Sequence, residues 1–355
     1  MGLLFHQLTS QFSRVADVVY KKHFEVDQKL ESEYDEYRKR KMYEDILHNL
    51  SFLQVAYQLD DEKVFKDYAL WLIQLMVSLM PELTPARIKE HMYLHYQLLA
   101  DTLKDVLEPS DFVNVKKHLD NALIITRDVT FDNLDSTFDK GKYGVIRKTY
   151  LDYLLNHDSK SAVLYMTSIA DLGYSIEEIY VDVLQEVMKE IGEMWHQCKI
   201  SVDQEHYMTS ITQVVLSQFY TKIFDTDKNG LKILACSVGS ELHEIGGRMI
   251  SDLFEYHGWD STYLGASVPK ASILKSIKIH QPDLIALSVT MPQHLIECKD
   301  IVVAIKKDYP KLKIAVGGRA FQMTNQVWKK WAVDISTNDA NSLIKWADQT
   351  FRGKT

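Results

Sequence analysis

Glu241, His243 and Gly246 form an E-x-H-x-x-G string just after the apolar run Leu231-Lys232-Ile233-Leu234-Ala235-Cys236-Ser237-Val238. A neutral imidazole is the commonest protein ligand for a transition metal. A histidine on the loop after a strand projects from the carboxyl edge of a sheet into a crevice. Such a ligand needs its second ring nitrogen held, and Glu241, two residues earlier on the loop, is a candidate acceptor. Gly246 would let backbone pass close to a bulky ligand, as would Gly317 and Gly318 after a later apolar run. Ser288 and Thr290 alternate with Val289, so on one strand both hydroxyls face the same way and can bond a buried polar tail. Taken singly, each of these is an ordinary surface histidine, turn glycine or strand hydroxyl. Their order along the chain is what argues for one site.

Upstream, Trp195 precedes Glu205-His206 by ten residues, and His196 follows it directly. A tryptophan on a helix is usually core, and a Glu-His pair is usually solvated. His196 has the alternative of being a hydrogen-bonded side chain inside a helical bundle.

The elements that must carry these residues follow from periodicity. From about Leu8 to Ala122 apolar residues recur at three and four spacing. Ile46, Leu50, Leu53 and Tyr57 form one stripe; Phe65, Tyr68, Leu72, Leu75 and Leu79 form another, widened by Trp71 and Met76. Pro85 after Thr84 reads as a helix start. Residues 1–126 are thus expected to form an all-helical N-terminal domain, and 127–142, where Asp, Asn, Thr and Gly cluster, a linker. Residues 143–226 predict a four-helix bundle with breaks near Asp158 and at Asp171 to Ser175, where Ser175 and Glu178 make a capping-box signature. From 229 to 355 the pattern changes. Short apolar runs at Ile233 to Ala235, Leu284 to Val289 and Ile314 to Val316, separated by amphipathic segments, predict a Rossmann-like doubly wound parallel sheet. The expected fold class is therefore multidomain, α plus α/β.

The whole chain narrows the options. Its 355 residues exceed one ordinary domain, and 46% hydrophobic with 25% charged residues is a soluble globular composition. No apolar run approaches the roughly 20 residues of a membrane span, and the N-terminal apolar stretch is short for a signal peptide. Three widely spaced cysteines, Cys198, Cys236 and Cys298, argue against a disulfide framework, which leads to the expectation of a reducing cytoplasm. The net charge of −8 argues against nucleic acid as a partner. The N-terminal 130 residues share this balance, with 16 Lys and Arg against 21 Asp and Glu.

The ordered set Glu241-x-His243-x-x-Gly246, Ser288-Val289-Thr290 and Gly317-Gly318 resembles the cobalamin-binding domain. The Trp195-x9-Glu205-His206 string with His196 resembles the cap of cobalamin-dependent photoreceptors of the CarH type, so the likeness covers residues 143 to 352. It implies adenosylcobalamin as cofactor, with His243 as lower cobalt ligand and Trp195, Glu205 and His206 around the adenosyl group. Trp195 offers an apolar face for packing, and Glu205 can accept hydrogen bonds from a ribose. It further implies that His196 takes the vacated upper position after light cleaves the cobalt–carbon bond, giving a bis-His adduct. Cys198 departs from the pattern, standing where glycine is common. The N-terminal region departs further, being acidic and lacking a basic recognition helix, so the likeness does not make the chain a repressor. A photocobilin subgroup also binds a bilin; Phe65, Tyr68, Trp71, His91, Tyr93, His95 and Tyr96 would line such a biliverdin pocket, or simply be core.

The resulting expectation is a light sensor, not an enzyme, with no catalytic residue. Its output would be a light-dependent change of homo-oligomeric state or of contacts with an unknown downstream protein, without membrane or nucleic acid. A corrinoid methyl-carrier protein is the alternative. A mutase is weaker for want of a substrate barrel, and a cobalamin store or trafficking protein is the bland option.

Overall fold

A computed structural model describes residues 11–131, 137–240 and 242–352. The chain divides into two compact units, Met1–Asp132 with Met323–Val327, and Asn133–Gln322 with Trp328–Thr355.

The first unit is helical: α1 (Phe12–Val26), α2 (Leu30–Glu33), α3 (Glu36–Leu59), α4 (Glu62–Leu79), α5 (Pro85–Val106) and α6 (Pro109–Asp128). Side chains of Asp35, Asp61 and Thr84 accept from backbone N–H groups in the first turns of α3, α4 and α5, and Pro85 occupies the first turn of α5. The expected stripes form the core: Ile46, Leu50, Leu53 and Phe65 are fully buried, with Tyr68 and Leu72 nearly so. The second stripe fails at its end. Leu79 is half exposed, and the buried residue there is Met80, because the helix stops before Pro81 and the chain turns inward at its C-cap.

A polar seam runs through this apolar core. His23 Nε2 and His95 Nδ1 lie 3.1 Å apart, and Tyr34 Oη lies 2.9 Å from His91 Nδ1. A His–His hydrogen bond needs one ring to donate and the other to accept, so two imidazolium ions cannot make it. Burial holds His23 down to about 2, aided by His95 and His91. It holds His95 down to about 3, aided by His91, and His91 down to about 4, aided by Arg87. Arg87 is itself paired with Glu33 and Asp27 at 2.6 and 2.7 Å.

These rings carry a pH dependence of definite sign. Unfolded histidines take up protons below about 6.5 while the folded ones do not. Stability is therefore full above that pH and is lost as pH falls, by up to about 1.4 kcal/mol per ring per pH unit. Asp45, pushed up to about 6 by burial, takes up its proton in the folded state and offsets roughly one ring. The chemical unfolding midpoint of the helical unit is expected to be clearly lower at pH 5 than at pH 7.5. Equal midpoints would show that the three rings are charged when folded.

In the second unit, α7 (Gly144–Leu155), α8 (Ser159–Asp171), a helix whose π-helical stretch Glu178–Leu184 leads into α9 (Gln185–His196), and α10 (Val202–Gln218) form the four-helix cap. Ser175 and Glu178 exchange the two capping-box hydrogen bonds at 2.9 and 3.1 Å. The short α11 (Tyr220–Ile223) leads to the sheet.

The sheet has five parallel strands, β1 (Lys232–Ser237), β2 (Asp260–Tyr263), β3 (Leu284–Ser288), β4 (Lys313–Gly317) and β5 (Ile335–Thr337), in the order β2-β1-β3-β4-β5. The helices between and after them are α12 (Ile245–Tyr256), α13 (Lys270–His280), α14 (Leu295–Asp308), α15 (Arg319–Gln322) and α16 (Ala340–Phe351). β1, β3 and β4 are buried on both faces, which is why they read as apolar runs. β2 and β5 are half-buried edge strands, Asp-Ser-Thr-Tyr and Ile-Ser-Thr, and periodicity passed over them.

α12 and α16 pack on one face, where their residues share a single core with the cap. It runs through Tyr180, Met208 and Leu216 to Ile233, Ala235, Leu284, Leu253 and Phe351. Trp259 sits at its base, edge-on to Phe254 and Phe351 at 5.0 and 5.2 Å. Among the described residues no helix is long and apolar enough to cross a membrane.

Candidate functional site

In a sheet of this order the crevice opens at the carboxyl ends of β1 and β3, where the connections run off in opposite directions. Both loops of interest leave there. The loop after β1 carries His243, exposed two residues before α12, and the loop after β3 carries Thr290. The strand ends form one row of register partners, Ser237–Ser288–Gly317–Thr337. This row of small and hydroxylic side chains lies across the edge from which His243 emerges, and it includes Ser288 and Gly317 from the sequence-predicted set.

Other predicted residues fall differently. β3 ends at Ser288, so Val289 and Thr290 belong to the following loop. The alternation argument thus fixes Ser288 but not Thr290, although Thr290 is half-buried nearby. Glu241 lies outside the described residues.

The glycines divide by what a side chain would meet. At Gly246, exposed in the first turn of α12, a Cβ would meet nothing within 4 Å, leaving open room beside His243. Gly318 differs. Its φ is +97°, and a Cβ would lie 2.3 Å from the Val289 carbonyl oxygen, so its bareness serves the packing of backbone on the end of β3. Gly317 is intermediate, 3.1 Å from the Thr337 carbonyl oxygen.

In the cap, α9 ends on Trp195-His196 and α10 begins at Val202, so the turn between them gathers Trp195, His196, Glu205 and His206 at one end of a helical hairpin. Trp195 is half-buried against the core, and His196 is buried with Nδ1 4.0 Å from Glu193 Oε1. Glu205 accepts from Thr209 Oγ1 at 2.8 Å and is 2.5 Å from His206 Nδ1, the latter ring being exposed. Cys198 adopts φ +55°, the left-handed conformation that explains why glycine suits this turn.

Glu205, Thr209 and Gln213 form a stripe four residues apart on α10. Gln213 Nε2 donates to Glu244 Oε1 at 2.8 Å, joining the cap to the residue after His243, about 12 Å along the helix from Glu205. Further links bind the cap region to α12, among them Arg248 Nη2 donating to Ser217 Oγ at 3.1 Å. Tyr180 Oη donates to the buried Asp252 Oδ2 at 3.1 Å, Arg248 Nε donates to Tyr220 Oη at 3.0 Å, and Glu177 meets His257. Asp252 is pushed up to about 6 by burial, with Arg248 and the tyrosines pulling the other way.

Residues 231–338 match the model of the B12 binding domain, and residues 146–220 match a second B12 binding domain model. The chain is a cobalamin-binding protein.

Two curated relatives frame this cobalamin-binding protein. It is 24% identical over 156 residues to the HTH-type transcriptional repressor CarH of Myxococcus xanthus, covering 43% of this chain and 51% of that one. It is 25% identical over 133 residues to dimethylamine corrinoid protein 2 of Methanosarcina acetivorans, covering 37% of this chain and 60% of that one. The chain thus spans between half and two thirds of these relatives' lengths. In fold it is similar to the monomethylamine corrinoid protein of Methanosarcina barkeri, with a TM-score of 0.53 at 15% identity, covering 59% of this chain and all of that one.

The residues present fit a corrinoid. One imidazole is a sufficient protein donor for a cobalt ion whose equatorial positions a macrocycle fills. His243 would supply it, and the open space at Gly246 and the small side chains of the strand-end row leave room along the same edge.

Proposed function

We propose that the cobalamin-binding protein is a light sensor that uses adenosylcobalamin. The observation that carries this reading is the gathering of Trp195, His196, Glu205 and His206 at one end of the α9–α10 hairpin, on a cap tied to the residue after His243. Bound adenosylcobalamin supplies a cobalt–carbon bond that visible light cleaves. The chain does the rest. Trp195 would pack against the adenosyl group, Glu205 would accept from its ribose, and His243 would hold the cobalt. His196 would be a second side chain able to hold the cobalt after photolysis, and the cap would change its contacts and with them the oligomeric state or a partner surface.

The percentage identities to the CarH repressor and to the corrinoid protein are nearly the same, so identity alone does not choose between sensor and methyl carrier. The cap motif favours the sensor. The polar links between cap and α12 favour it too, because a carrier must uncover its methyl group to partner enzymes.

A bilin in the helical N-terminal unit extends this reading. Its support is the buried polar seam, where His23 Nδ1, His95 Nε2 and Tyr96 Oη have no hydrogen-bond partner among the described residues. Phe65, Tyr68 and Tyr96 are buried beside it, Trp71 is half-buried and stacked against Tyr68, and Tyr93 is on the exposed side.

The test is an absorption spectrum and a gel-filtration profile of protein mixed in the dark with adenosylcobalamin and biliverdin, before and after green light. The expected result is spectral conversion with a shift in elution volume, and a red-absorbing band that co-elutes. Cobalamin bound without any response to light would return the methyl carrier to first place.

A further inference from the structure

A ligand histidine on a loop between strand and helix is useful only if the loop holds one conformation. His243 is exposed, and two hydroxyls hold its loop from beneath. Ser237, fully buried at the end of β1, donates from Oγ to the His243 carbonyl oxygen at 3.1 Å. Tyr263, at the end of the neighbouring β2, donates from Oη to the Glu244 carbonyl oxygen at 2.9 Å. That same carbonyl also accepts from Arg248 N at 3.0 Å, which uses both of its lone pairs.

The two hydroxyl residues meet under Gly247. A Cβ there would lie 3.2 Å from Ser237 Oγ and 3.3 Å from the Tyr263 ring, so a side chain at this position would press on both hydroxyl residues. Burial raises the Tyr263 phenol well above its ordinary range, which keeps it a proton donor.

We propose that Ser237 and Tyr263 are the positioning residues of the cobalamin site. They pin the consecutive carbonyls of His243 and Glu244, so that the imidazole leaves the sheet edge in one direction. This rests on His243 being the protein ligand of the cofactor. Neither residue would be a metal ligand; Ser237 acts through the backbone of His243 and Tyr263 through that of the next residue.

The experiment uses the full chain, labelled with nitrogen-15 histidine and loaded with cob(II)alamin. An axial protein imidazole then splits the electron paramagnetic resonance lines into doublets. Wild type should show doublets, and His243→Ala should lose them. Tyr263→Phe keeps the ring against Gly247 and removes only the hydroxyl; combined with Ser237→Ala it should reduce the doublet fraction and weaken cob(II)alamin binding by about fivefold or more. Ser237→Thr, which keeps a hydroxyl, should restore the signal in part. In the cofactor-free protein, amide exchange across residues 242–247 should quicken in Tyr263→Phe, a change independent of the metal.

Full doublets, affinity within about twofold of wild type and unchanged exchange in the double variant, beside their loss in His243→Ala, would overturn the positioning role and leave the ligand in place. Doublets surviving in His243→Ala would overturn the ligand assignment and this inference with it. Should the double variant not fold, Tyr263→Phe alone carries the same comparison.

Discussion

His243→Ala is expected to weaken cobalamin binding at least tenfold, about 1.4 kcal/mol or more, and to change the visible spectrum of what remains bound. The side chain is exposed on the loop after β1, so its removal opens no cavity, and the unfolding midpoint of the cofactor-free protein should stay within about 0.5 kcal/mol of wild type. That separation of binding from stability makes the result readable. Equilibrium titration with spectroscopy checks the first half and chemical denaturation the second. Unchanged affinity with an unchanged spectrum would remove His243 from the site.

Gly318→Ala should have the opposite signature. Its φ of +97° is strained for any side chain, and the new methyl would press on the carbonyl of Val289 at the end of β3, where backbone cannot step aside. A destabilisation of roughly 3 kcal/mol or more is expected, read as a lowered unfolding midpoint, with cobalamin binding lost as a consequence. Gly246→Ala is the control. Nothing stands within 4 Å of its Cβ, so the fold should tolerate it, and any loss confined to cobalamin affinity would mark that open space as ligand space. A Gly318→Ala protein as stable as wild type would mean that the end of β3 yields more than its hydrogen bonds suggest. Val289 N donates to Gly317 O at 2.9 Å, and Ala320 N donates to Val289 O at 3.1 Å.

These two glycines show how far sequence could go. Both read as places where backbone approaches a ligand, yet only the structure separates the one facing open space from the one filled by the backbone of Val289. Patterns that are local in sequence were legible. The capping box of Ser175 and Glu178 and the start at Thr84-Pro85 each lie within a few consecutive residues, and so does the step from β1 to the loop that carries His243. β1, β3 and β4 were legible because burial on both faces leaves a continuous apolar run.

β2 and β5 were not, because an edge strand needs few apolar residues. Missing β2 hid Tyr263 as well. Its partner is a backbone carbonyl 19 residues earlier, and a carbonyl leaves no mark in sequence. Ser237 stands unmarked near the end of an apolar run, for the same reason. The π-helical stretch at Glu178–Leu184 carries Tyr180 to Asp252, and no periodicity announced it. Thr290 was placed one element too early because the alternation that suggested a strand continues into the loop.

The core that the cap shares with the sheet limits how the two halves can move. Burying a single Leu, Phe or Met side chain is worth about 1.5–3 kcal/mol, and Met208, Leu216, Phe219 and Ile223 all lie in that shared interior with α12 and α16. Swinging the cap away like a door would expose them together, at a cost of order 10 kcal/mol, comparable with the whole stability of a domain. Motion that preserves this interior must be a shear, with α9 and α10 sliding or rotating in place. Such a movement exchanges a few surface contacts instead of opening the protein.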